Sequence, residues 1–205
     1  MSPSGAVSDD ARERVLAAAE ALLAERGPGA FSLREAARRA VVSHAAPGYF
    51  FGDARGLLTA VAVRSNARLT SAMERARRRH RDDPYEALLA VGRAYIRFAL
   101  DSTAEFRNLF GDAIAVDDPV IEQCRLEGAL PLMAALSELH PDADPTSEEF
   151  GTRMNLAWTT VHGTAVLAID HRLIGTSTTA ISRIVDQVVD ALGPALAAPL
   201  RRRMD

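Results

Sequence analysis

The sequence predicts an all-α fold of about nine helices. Apolar residues recur at three- and four-residue spacing along most of the chain. Capping and helix-stopping residues punctuate these stretches, and no run alternates with period two over the length of a strand. The three observations agree from one end of the chain to the other.

Ser8-Asp9-Asp10 offers an N-cap and early acids, and Val15, Leu16, Ala19, Leu22 and Leu23 follow at helical spacing until Arg26-Gly27-Pro28-Gly29 stops the helix. Ser32-Leu33-Arg34-Glu35 is a capping-box pattern for a short helix to about Ala40. Ser43 is placed to cap a third short helix from His44 to about Phe51. Gly52-Asp53 then precedes a long fourth helix to about His80, its stripe formed by Leu57, Leu58, Val61, Val63 and Leu69. Asp82-Asp83-Pro84 restarts the chain, proline suiting a first helical turn. Helices are expected over Pro84–Ser102, Ala104–Asp112, Pro119–Leu139, Ser147–Leu173 and Thr178–Leu200. Asp117-Asp118-Pro119, the polar stretch from His140 to Pro145, and Gly175-Thr176-Ser177 mark breaks between them.

The 205 residues are 48% hydrophobic and 25% charged, a balance that suits a soluble globular chain and excludes a disordered one. A single cysteine, Cys124, excludes a disulfide framework and any multi-cysteine metal site. Apolar runs are too short for a membrane span, and Met1–Ser8 lacks the pattern of a secretory signal. A cytoplasmic location without membrane contact is the expectation. The net charge of −3 is unevenly divided. Met1–Arg81 holds 14 arginines against 8 acidic residues, and Asp82–Asp205 holds 10 against 19. A cationic module for a polyanion joined to an acidic body is expected, with a head at 9–54 and a body at 55–203.

Three helices near the amino terminus, the second and third joined by a tight turn, suggest a helix-turn-helix. Ala36, Ala37 and Ala40 are small where the short helices cross, and Val42 supplies an apolar plug after the turn. His44, Ala45 and Ala46 then stand at the end of the recognition helix that faces base edges, and Arg34, Arg38 and Arg39 stand near phosphates.

Arg14-Val15-Leu16-Ala17-Ala18-Ala19, Glu25-Arg26-Gly27, Phe31-Ser32-Leu33-Arg34-Glu35-Ala36-Ala37, Val42-Ser43, Tyr49-Phe50-Phe51 and Leu57-Leu58-Thr59-Ala60-Val61 resemble the DNA-binding domain of TetR-family transcriptional regulators. The likeness runs from Ala11 to about Val63. It implies a homodimeric repressor whose body binds an inducer. The DNA-facing set is then Ser32, Arg34, Arg38, Arg39, Ser43, His44, Ala45, Ala46, Tyr49 and Arg55. Val41 stands where the family has a turn glycine, a position that calls for a left-handed backbone. Gly48 stands where the family has a phosphate-contacting tyrosine, Tyr49 being displaced by one. Pro47 lies within the short helix, and Ala54 replaces a lysine, leaving Arg55 or the helix N-terminus to serve.

In the body, Phe106-Arg107-Asn108-Leu109-Phe110 and Trp158-x-x-x-His162-Gly163 resemble the TetR subgroup named for its Trp-His-Gly motif. Trp158 and His162 share a helix face, and Gly163 suits the close approach of a neighbouring helix. Two readings stay open. His162 is a polar handle in an apolar effector pocket with Tyr95, Phe98, Phe106, Phe110, Met154 and Trp158, or these are core residues. Ala157, Val161, Ala165, Ile169, Ile181, Ile184 and Val188 lie on stripes of the last two helices, the pair that the resemblance assigns to dimerisation. His162 and His171 lie on opposite helix faces, so no metal site is expected, and no cofactor. No nucleophile–base pair or phosphate loop argues for an enzyme. The expected function is an effector-responsive DNA-binding regulator. The alternative is a helical ligand-binding or interaction protein whose head no longer binds DNA tightly.

Overall fold

The computed structural model describes residues 3–27, 31–111, 118–174 and 180–200, with side chains from residue 8 onward. Among these residues there are nine helices and no strand: α1 (Pro3–Arg26), α2 (Leu33–Ala40), α3 (Ala46–Phe51), α4 (Ala54–Arg79), α5 (Pro84–Asp101), α6 (Thr103–Phe110), α7 (Pro119–Leu139), α8 (Glu148–Ile169) and α9 (Ile181–Ala197). The expected breaks at Pro28-Gly29, Asp117 and Gly175-Thr176-Ser177, the helix start at Thr178 and the end of the body at 201–203 lie outside the described residues.

Acidic residues and one serine start the helices by accepting early amide protons. Asp53 Oδ1 accepts from the Gly56 amide at 2.8 Å, Asp83 Oδ1 from Glu86 at 3.0 Å, Asp118 Oδ1 from Val120 at 2.9 Å, and Ser147 Oγ from Phe150 at 3.2 Å. Several expected boundaries move. α1 begins at Pro3 rather than at Ser8, a proline fitting the first turn where no amide bond is needed. Asp10 is consequently inside the helix, ion-paired with Arg14 one turn on. Ser32 precedes α2 without a side-chain cap bond, and α3 starts at Ala46 instead of His44. Pro47 sits in the first turn of α3, and Ser43 offers the Ala46 amide its backbone carbonyl rather than its hydroxyl. α8 stops at Ile169, and His171 follows with φ +55°.

The described residues pack into two compact units, one within Met1–Ala67 and Ser102–Arg125 and one within Arg68–Asp101 and Leu126–Asp205. The cut between these units falls inside α4 and α7. In the first unit, Val15, Leu16, Ala19, Leu22 and Leu23 of α1 are buried, as are Ala36, Ala37 and Ala40 of α2. Leu57, Leu58 and Val61 of α4 are buried too, but Val63 is exposed and lies off the stripe assigned to it. Asn108, itself fully buried on α6, donates to the Leu58 carbonyl at 3.0 Å, and Asn66 donates to the Cys124 carbonyl at 3.0 Å.

The second unit packs α5 against α8 and α9. A Cβ at Gly92 of α5 would lie 3.2 Å from Val161 and 3.6 Å from Val189, so the small residue sets how closely these helices meet. Gly163, expected to admit a neighbouring helix, has nothing of this chain within 4 Å of its Cβ direction. Ala157, Val161 and Ala165 are buried within the unit. They face their own core and are not free to face a second copy, which corrects the stripe expected to form a dimer. Ile169, Ile181, Ile184 and Val188 are half-buried, and Leu156 and Leu167 of α8 are exposed.

Candidate functional site

The short helices α2 and α3 meet through a turn whose geometry follows from its residues. Val41 ends α2 with φ 54° and ψ 50°, in the left-handed region expected for it. The Val42 amide bonds back to the Ala37 carbonyl at 3.2 Å, closing a Schellman-type end. Val41 is 85% exposed, so nothing in the packing compensates for its conformation. Glycine at this place is replaced by a β-branched residue at a cost in backbone energy.

Around this turn the residues expected to face DNA divide into free and engaged groups. Ser32, Arg34, Ser43, His44, Ala45, Tyr49 and Arg55 are exposed, Tyr49 at 83%; Ala46 is half-buried. Arg34 and Arg55 have no side-chain partner among the described residues. Arg38 is exposed but donates through Nε and Nη2 to the Glu35 carboxylate at 2.8 and 2.7 Å. Arg39 forms a fork onto Glu25 at 2.7 and 2.6 Å and also reaches Glu35 at 3.2 Å. Arg39, expected near a phosphate, therefore ties the end of α1 to α2 through these bonds. The bonds from Arg38, then Arg39, hold the Glu35 carboxyl at about 2, and Arg39 likewise lowers that of Glu25. Glu35 was legible as an ion-pair partner from its spacing of three and four residues to the arginines. Glu25 was not, since it lies fourteen residues before Arg39.

In the second unit, Tyr95 of α5 and Trp158 and His162 of α8 come together. Tyr95 Oη and His162 Nδ1 share a hydrogen bond of 2.8 Å. The indole of Trp158 stacks on the imidazole at 5.1 Å and 17°, and the phenol meets the indole edge-on at 5.4 Å. Burial pushes the Tyr95 hydroxyl well up and the His162 imidazole down, so both are neutral at pH 7. Met154 is half-buried on the same face of α8, four residues before Trp158, and Phe98 is half-buried one turn after Tyr95. Phe106 and Phe110 pair with each other at 4.8 Å on α6, in the other compact unit. Phe106 is fully buried and Phe110 is exposed. Five of the seven residues expected to share one pocket thus lie in the second unit, and Phe106 and Phe110 in the other. No cluster of His, Cys, Asp or Glu among the described residues has the arrangement of a metal site, and no described helix is long and apolar enough to cross a membrane.

Residues 88–192, just over half of the chain, match the family described as "Tetracyclin repressor-like, C-terminal domain". The chain belongs to the TetR family. Members of this family are transcription factors rather than enzymes, and the all-helical architecture with its helix-turn-helix fits that membership. The fold is similar to that of a protein of unknown function from Rhodococcus sp. RHA1, with 28% identity and a TM-score of 0.75 over 91% of this chain and 95% of that one. It is also similar to the TetR-family transcriptional regulator PfmR from Thermus thermophilus, at 18% identity and TM-score 0.61 over 92% and 100% of the two chains. A TetR-family transcription regulator from Marinobacter aquaeolei VT8 has 17% identity and TM-score 0.64 over 91% and 95%. No curated protein matches the chain.

Proposed function

We propose that this TetR-family chain is a homodimeric repressor that an apolar or amphipathic effector releases from its DNA operator. The observation that carries the DNA half of this reading is the exposure of Arg34, Arg55, His44 and Tyr49 around the α2–α3 turn, on a stretch with a large arginine excess. Residues 9–54 act as the head and 55–203 as the body. Phosphate contacts come from Arg34, Arg38 and Arg55, with Ser32 and Ser43 as further donors.

For the effector, the neutral Tyr95–His162 pair beside Trp158 supplies a polar handle in apolar surroundings, suited to an uncharged or weakly polar molecule. Phe98 and Met154 extend that surface. Effector binding changes the separation of the two recognition helices from the roughly 34–36 Å that successive major grooves require. It shifts the equilibrium by its differential affinity for the two states. Dimerisation uses the outer faces of α8 and α9, where Leu156, Leu167, Ile169, Ile181, Ile184 and Val188 remain available.

The test is fluorescence-anisotropy binding of the full chain to DNA flanking its own gene, titrated across salt. Binding that falls steeply with salt and survives competitor DNA is expected. Weak binding indistinguishable from competitor on every fragment would overturn the reading in favour of a head that has lost DNA binding.

A further inference from the structure

The stretch between the exposed arginines of α2 and Arg55 of α4 is poor in hydrogen-bonding side chains. From Val41 to Asp53 it contains no Arg, Lys, Asn or Gln. Its polar side chains are Ser43, His44, Tyr49 and Asp53, and Asp53 is engaged in capping α4. Bidentate hydrogen bonding to guanine calls for Arg or Lys, and that to adenine for Asn or Gln. Neither kind stands on this surface.

Beside Ser43 and His44, this surface exposes a methyl group and an aromatic ring. Ala45 is exposed and Tyr49 is 83% exposed. Ala45 has φ −81° and ψ −21°, and its carbonyl accepts the Tyr49 amide at 3.0 Å. The two side chains therefore lie one helical turn apart on a common face. In the major groove the base-edge feature that matches an apolar group is the C5 methyl of thymine. The charge bordering this stretch in the sequence favours a polyanion as its occupant, since Arg34 and Arg55 are exposed and have no carboxylate partner among the described residues.

We propose that the head reads its operator through thymine methyl groups, with Ala45 and the ring of Tyr49 as the contact surfaces. The flanking arginines then supply affinity without sequence information. This rests on the DNA-binding reading of the head and names what that head recognises.

The experiment uses the full chain and a duplex selected from a random-sequence library. Each thymine of the selected site is replaced singly by deoxyuridine, which removes only the methyl, and each guanine by 7-deazaguanine, which removes the N7 acceptor. Affinity is expected to fall about fourfold for each contacted methyl, the equivalent of one buried methylene-sized group. No 7-deazaguanine substitution should exceed that loss. Ala45→Gly should abolish the deoxyuridine penalty at one thymine of each half-site while leaving the salt dependence unchanged and lowering the melting temperature by no more than roughly 1–4 °C. Deoxyuridine neutral at every position, with 7-deazaguanine costing tenfold at one or more, would overturn thymine reading while leaving DNA binding intact. Recovery of no duplex above competitor would overturn the DNA-binding reading itself.

Discussion

The turn between α2 and α3 holds a valine in a conformation that valine resists, so replacing it should strengthen the protein. Val41 has φ 54° and ψ 50° and is 85% exposed. A left-handed backbone costs a non-glycine residue about 1–2 kcal/mol. Glycine removes that cost but adds about 0.5–1 kcal/mol of chain entropy to be lost on folding. Full burial of a valine stabilises by about 1.5–3 kcal/mol, so a side chain this exposed forfeits only a few tenths. Val41→Gly should therefore stabilise the chain by about 0.5 kcal/mol, raising the melting temperature by roughly 1–2 °C for a protein of this size. The assay is thermal unfolding of the full chain by circular dichroism without DNA. Val42→Gly serves as the contrast, because Val42 is half-buried and its substitution should lower the melting temperature. A Val41→Gly protein that melts at or below the parent temperature would refute the strain argument.

Gly163→Ala, with open space around it, should stabilise α8 by about 0.5–1 kcal/mol, and Gly92→Ala should gain less than this because its new methyl stands 3.2 Å from Val161; paired melting curves check the order. His162 has its pKa held below the usual 6.5 by burial, so the unfolded chain binds the extra proton first. Stability attributable to it is full above pH 6.5 and declines as pH falls below that value, and His162→Gln should flatten this part of the profile. Glu35 and Glu74, both lowered to about 2 by arginine bonds, act in a more acidic window. Their contributions are present above the unfolded value of 4.5 and are lost between there and about pH 2, which Glu35→Gln should blunt in an acid titration of unfolding.

Helix positions were legible because spacing alone decides which residues share a face, and buried Val15, Leu16, Ala19, Leu22 and Leu23 follow that spacing. Helix ends were less so. Ser32 and Ser43 are good caps by residue type, yet neither side chain makes a cap bond; the first turn of α3 is instead set by Pro47. Faces were legible but neighbours were not. Val161 sits on an apolar stripe that serves equally for a core or for a second copy, and only its approach to Gly92, 69 residues earlier, decides for the core. The Tyr95–His162 bond is of the same kind, since it spans 67 residues between α5 and α8.

The charge asymmetry shows the same limit and leads to a quantitative expectation. An excess of arginine over the first 81 residues tells how much positive charge the segment carries, not how much is free to meet phosphate. Glu25 and Glu35 engage Arg39, Glu35 also engages Arg38, and Glu13 and Glu20 engage Arg64. Of the four arginines that the sequence placed beside DNA, Arg34 and Arg55 are unpartnered among the described residues, and Arg38 is exposed and bonds Glu35 through Nε and Nη2. Three contacts per head, six per dimer, give a slope of log affinity against log salt of about −5. Engaging Arg39 as well would steepen it to about −7. Arg34→Ala should flatten the slope by about 1 for each head, and Arg39→Ala should leave it unchanged while lowering the melting temperature. A parent slope near −7 that Arg39→Ala relaxes would mean that DNA displaces Glu25 from Arg39, and that the ion pair is a contact exchanged on binding rather than a fixed part of the head.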